Sequence, residues 1–145
     1  MQLVSHAHHC YQATRYQELG TILPRLTTAA RTFVDEAPPS DRRNALRLLC
    51  SVEVVGAKLA TKIGHGSAAW KSATRAREAA QLADDRYAMA AATYQLVCAA
   101  LKTGRSELAE RLSGESLAKI SDRSPQSLTW RGALTLIGDH RRPTE

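Results

Sequence analysis

Phenylalanine occurs once in 145 residues, and all aromatic side chains together make up 5%. That scarcity, beside an abundance of Ala, Leu, Arg, Glu and Gln, favours helix. Cysteine occurs three times, as Cys10, Cys50 and Cys98. An odd number, each in a helix-like apolar context, excludes a disulfide framework and indicates reduced, buried thiols. No apolar run approaches the ~20 residues that a membrane span requires. Met1 to His6 shows no basic region followed by an apolar stretch, so no secretory leader is expected. Also missing are Gly-x-Ser-x-Gly, a phosphate-binding glycine loop and His-Glu-x-x-His, which removes the usual catalytic signatures. The expectation is a cytoplasmic protein with no membrane contact and no cofactor.

What is present is a net charge of +6 and enough chain for one domain with its own core. Such a charge permits acidic partners without specifying them. Arg42, Arg43 and Arg47 form one basic group, and Arg141 and Arg142 another. These read as a solvated helix face and a basic tail, with weak, salt-dependent nucleic-acid binding as the most they allow. Direct DNA binding needs a helix-turn-helix or a basic recognition face, and neither is found.

Apolar residues recur at three- and four-residue steps in seven segments. The first runs from Leu3 to Thr14. The second, Tyr16 to Phe33, contains Pro24, which predicts a kink near Gly20 to Leu23. Val34-Asp35-Glu36-Ala37-Pro38-Pro39-Ser40 is the clearest break, after which Ser40 or Asp41 caps a helix reaching Ile63. Gly64-His65-Gly66-Ser67 is a turn, with Ser67 able to cap the helix from Ala68 to Leu82. Asp84 or Asp85 caps the next, from Arg86 to Thr103. Gly104 then turns the chain into Ser106 to Ile120. A break at Ser121 to Pro125 precedes a last helix, Gln126 to Asp139. The domain is expected over residues 1–140, with a disordered tail at 141–145.

The hairpin from Arg86 to Ile120 has a weaker copy before it, with Gly64 in place of Gly104. A more distorted copy lies at the N-terminus. Aligning Gly104 on Gly64 and Arg15 matches Ala109 with Ala69 and Gly20, and Ala100 with Ala60 and Tyr11. The repeat is 40 to 49 residues, longer than the ~34 of a tetratricopeptide repeat. Each hairpin alone leaves an apolar face, which stacking would bury. The predicted fold is therefore all-α, a right-handed stack of about seven helices in hairpins.

Three segments carry a resemblance. They are Tyr11-Gln12-Ala13 with Arg15-Tyr16, Leu19 and Leu23-Pro24-Arg25-Leu26; Ala69-Trp70 with Ala76; and Ser127-Leu128-Thr129-Trp130-Arg131-Gly132-Ala133-Leu134. From about His8 to Ile137 the chain resembles the tetratricopeptide-like C-terminal domain of actinobacterial regulators that bear a Cro/repressor-type helix-turn-helix. No helix-turn-helix segment stands in this sequence, so the DNA-binding half is not carried over. The resemblance implies a stand-alone relative or an isolated sensing and dimerising domain.

In such arrays the first helix of each hairpin lines a concave groove. The resemblance thus places Val54, Lys58, Thr61 and Lys62 in the groove, with Tyr94, Cys98, Leu101 and Lys102 from the next hairpin. His9 and Gln12 come from the first and Trp130 from the last helix. Convergent Lys58, Lys62 and Lys102 beside aromatic rings would seat a carboxylate or phosphate; lysines of long helices also simply face water. Glu53, in an otherwise apolar helix, is either a base with a raised pKa or one side of a salt bridge. Glu53, Tyr94 and His9 are the weak catalytic candidates should the scaffold be a small enzyme or metabolite pocket. His6, His8, His9 and Cys10 are of metal-ligating type, but no second ligand pair has suitable spacing, and no metal is expected. Trp70 reads as core. The leading function is a non-catalytic module that binds a peptide or small anionic ligand. A homodimer through Leu128 to Ile137, or through the N-terminal helix, is expected because an array end leaves an apolar flank.

Overall fold

Four three-residue turns set the architecture. They are visible in the computed structural model, which describes residues 2–120 and 124–139. The expected break at Ser121 to Arg123 and tail at 141–145 lie outside the described residues. Each turn centres on a residue of positive φ: Thr14 at 58°, Gly64 at 83°, Asp84 at 50° and Gly104 at 75°. The same two backbone bonds recur at each. The residue after the centre donates five positions back, as in Arg15 to Cys10, His65 to Ala60, Asp85 to Ala80 and Arg105 to Ala100. The central residue donates three back, to Tyr11, Thr61, Gln81 and Leu101. This closure satisfies carbonyls that a helix end would otherwise orphan, and it requires a left-handed residue. Glycine supplies that conformation without strain at Gly64 and Gly104.

The helices are α1 (Gln2–Gln12), α2 (Tyr16–Glu36), α3 (Arg42–Lys62), α4 (Gly66–Leu82), α5 (Arg86–Lys102), α6 (Ser106–Lys119) and α7 (Pro125–Asp139); the four turns join α1 to α2 and each successive pair from α3 to α6. Successive helices pack on one another. In addition α1 touches α3, α3 touches α5 and α5 touches α7, whereas α2, α4 and α6 do not touch one another. The odd helices thus form one layer and the even helices a second, splayed layer.

Burial follows from these positions. α3, flanked by α1, α2, α4 and α5, buries ten residues from Ala45 to Ala60. α5 is nearly apolar throughout and buries Ala90, Ala92, Leu96, Val97, Ala99 and Ala100 because α3, α4, α6 and α7 surround it. α4 contributes alanines alone, at 69, 73, 76, 79 and 80. Small side chains let helix axes approach closely. A Cβ at Gly56 of α3 would sit 3.4 Å from the Ser72 hydroxyl of α4. At Gly66 it would sit 2.6 Å from the Thr103 methyl, so the α3–α4 and α5–α6 turns stack through that glycine.

Helix ends recruit arginines. Arg42 donates to the Val34 carbonyl near the end of α2. Arg43 Nε donates to Ala83 at 2.9 Å and its Nη2 to Asp84 at 3.3 Å, closing α4. Arg131 donates to the Ile120 carbonyl after α6. Asp85 accepts the amides of Tyr87 and Ala88 at 3.0 Å each, and its other oxygen binds Arg47 at 2.8 Å. The basic group Arg42, Arg43 and Arg47 is exposed to solvent, as expected, and from there it also staples neighbouring helices. Ser124 accepts the Ser127 amide at 3.2 Å ahead of Pro125, which opens α7.

Three local expectations change. α2 runs from Tyr16 to Glu36 with Pro24 inside it, so Val34 to Glu36 belong to the helix and not to the break. Pro24 is exposed, and the carbonyl it orphans belongs to exposed Gly20, within reach of water. Ser67 lies within α4, whose N-cap position is His65. Asp41 holds the N-cap position of α3 without a side-chain bond.

Candidate functional site

The repeated turn defines equivalent positions on the odd helices. Six residues before the turn centre stand His8, Lys58 and Cys98. They form a row across α1, α3 and α5, each half-buried. Seven before it, Ala7, Ala57 and Val97 are fully enclosed. Two before it, Gln12, Lys62 and Lys102 are exposed.

Lys58 is the centre of the row. Its ammonium lies 5.6 Å from the centre of the Tyr11 ring, a cation–π distance. Burial holds it below the usual lysine range, and the nearby Cys98 acts in the opposite sense. Among the described residues no carboxylate lies within ion-pair distance of it. Thr61, one turn along the same helix, has a buried hydroxyl with no hydrogen-bond partner. On one flank His8 shares a 2.9 Å hydrogen bond with Ser51. Burial, then Lys58, pushes the His8 pKa down, so its imidazole is neutral at pH 7. On the other flank burial pushes the Cys98 thiol up to about 11, although Lys102 and Lys58 pull the other way. A thiol of that kind is no nucleophile at neutral pH. Tyr94 sits one turn before Cys98 and has a raised pKa, caused first by burial and then by the neighbouring Cys98. Its ring packs on Trp130 of α7 at 6.0 Å. The face is thus aromatic at both ends, with a lone half-buried cation between.

Of the residues expected in the groove, Lys58, Tyr94, Cys98 and Trp130 meet on this face, and Lys102 is close enough to act on Cys98. Lys62 is exposed and joins no contact in the row, so three lysines do not converge. In place of His9 and Gln12, which are exposed, the first helix contributes His8 and Tyr11. The cause is a one-residue slip. Thr14, not Arg15, is the counterpart of Gly104, and threonine carries no sign of a left-handed turn. Glu53 points out of this face. It is 3% exposed and pairs with Arg31 of α2 at 2.8 Å, so it is a structural salt bridge rather than a base. Trp70 is half-buried among Ala60, Ala69 and Ala99, with the Arg105 guanidinium 5.8 Å from its ring.

A cleft of about 340 Å³ opens elsewhere, between α4, α5 and α6, where the splayed even helices leave room. Arg77, Asp84, Asp85, Arg86, Glu115 and Lys119 carry its charge. None of Glu53, Tyr94 or His9 lines it. At the N-terminal end His6, Cys10 and Glu18 form a third cluster. Their donor atoms all lie within 4.8 Å of one another.

Comparison with protein-family models, curated proteins and solved structures finds no match to this chain. Among the described residues no helix is long and apolar enough to cross a membrane.

Proposed function

We propose that this chain is a non-catalytic helical-repeat binding module that holds a peptide or small molecule through a carboxylate or phosphate on its odd-helix face. One observation carries the reading: Lys58 is half-buried, rests on the Tyr11 ring and has no carboxylate partner among the described residues. Desolvating a cation without a counter-charge is costly, and an incoming anion would offset that cost. The free Thr61 hydroxyl supplies a donor on the same helix face. Tyr11, Tyr94 and Trp130 supply flat apolar surface beside it. The sensing half of a helix-turn-helix regulator is the context the sequence resemblance suggests.

The test is a calorimetric screen of acidic peptides and small di- and tricarboxylates, repeated with Lys58→Met. Loss of a charge-assisted bond worth about 1.5–3 kcal/mol weakens binding by roughly 10- to 150-fold. Lys62→Ala, at the exposed end, has a smaller effect. The anion needs the ammonium form, so affinity is full below the Lys58 pKa and falls as pH rises through it, earlier than for an ordinary lysine. Unchanged binding by Lys58→Met removes the assignment. The second reading, a pocket for a small metabolite, rests on the cleft of about 340 Å³ between α4 and α6. Ligands insensitive to Lys58 and lost on Arg77→Ala would favour it.

A further inference from the structure

We infer that His6, Cys10 and Glu18 form a binding site for a zinc-class divalent transition metal that clips α1 to α2. His6 and Cys10 are four residues apart on α1 and so share one face. The Thr14 turn folds the first turn of α2 back against that face and delivers Glu18. His6 Nε2 lies 2.9 Å from Glu18 Oε1, and Cys10 Sγ lies 3.5 Å from His6 Nε2.

Zinc bonds of about 2.3 Å to sulfur and about 2.0–2.1 Å to nitrogen or oxygen place tetrahedral donors about 3.3–3.6 Å apart. Both pairs that include His6 Nε2 stand near that spacing, and Cys10 and Glu18 lie within 4.8 Å of each other, so side-chain rotation, without movement of either helix, admits the ion. One imidazole nitrogen, one thiolate and one carboxylate are the mixed set that borderline ions such as Zn²⁺ and Co²⁺ accept. Three protein ligands leave a fourth position for water or an added ligand. Arg15 holds the opposite carboxylate oxygen, Oε2, at 3.2 Å. That contact turns Oε1 toward His6 and Cys10, the kind of outer hydrogen bond that orients a ligand. Arg15 is also the cation that the ion must tolerate. Its guanidinium stays on the far oxygen, and the thiolate and carboxylate together neutralise the ion. Binding displaces the Cys10 proton to solvent, so affinity rises with pH.

The experiment is titration of the purified full chain with Co²⁺, following the thiolate-to-cobalt charge-transfer band in the near ultraviolet and the visible bands of a tetrahedral centre. One ion per chain is expected, displaced by Zn²⁺, with a higher melting temperature for the loaded protein. Cys10→Ser removes the band, and His6→Ala and Glu18→Gln weaken binding, while helicity by circular dichroism is kept. Cys50→Ser and Cys98→Ser leave the band unchanged. Absence of a band in the wild type, or its survival in Cys10→Ser, overturns the site. Should the buried Cys10→Ser fail to fold, the double variant His6→Ala, Glu18→Gln decides, since both side chains are substantially exposed. A wild-type band in that variant is equally fatal.

Discussion

Thr14 shows how much a single backbone angle can hold. It is β-branched and sits at φ 58°, where glycine occupies two of the three equivalent positions at the other turns. A left-handed conformation costs a non-glycine residue about 1–2 kcal/mol. Thr14→Gly relieves this at the expense of a more flexible unfolded chain. The net expectation is stabilisation by about 0.5–1 kcal/mol, read as a higher urea midpoint with an unchanged slope. The same angle places Glu18 on His6 and Cys10, and it sets the register that brings His8 and Tyr11 to the Lys58 face. The register of Gly104 on Gly64, with the groove that the resemblance implies, made Tyr94, Cys98, Lys58 and Trp130 legible as one group. Glu18 was not legible, because its approach to α1 depends on the direction in which a threonine turn sends the chain. Nor were the partners of Arg42, Arg43 and Arg47, which lie on elements up to 41 residues away.

Among the helices, α4 depends on what it lacks. Its buried face is alanine throughout, and its first residue, Gly66, has a Cβ position 2.6 Å from the Thr103 methyl. That methyl cannot rotate away freely, because the Thr103 hydroxyl donates to Ala99 at 2.9 Å and reaches Ala100 at 3.2 Å. Gly66→Ala therefore costs about 1–3 kcal/mol by overpacking two turns. In a Thr103→Ser background the methyl is gone and the hydroxyl is kept, so the cost falls to near zero. Thermal melts of the two single variants and the double complete the cycle. Seven helices, their order and the hairpin turns were readable from periodicity and from Gly64, Gly104 and Asp85. The last turn of α2 was not, since the residue types of Val34 to Glu36 do not separate a helix end from the start of a proline-led break.

For the molecule as a whole, the last helix presents a pair of exposed leucines on one face. α7 buries Leu134 and Ser127 and leaves Leu128 and Leu136 54% and 68% exposed, on either side of an open Gly132. We propose that this stripe pairs with a second copy. Light scattering at high concentration is then expected to give twice the chain mass, and Leu128→Lys with Leu136→Lys to halve it. A monomeric mass for the wild type ends the idea.

The two layers differ in their mechanics. Opening or closing the spaces between α2, α4 and α6 breaks no contact among them, whereas sliding α1, α3, α5 and α7 past one another disrupts the packed row. The softest deformation is therefore bending, like a fan whose ribs are pinned along one edge. A guest bridging α1 and α7 would register as a change in the distance between the two ends of the chain.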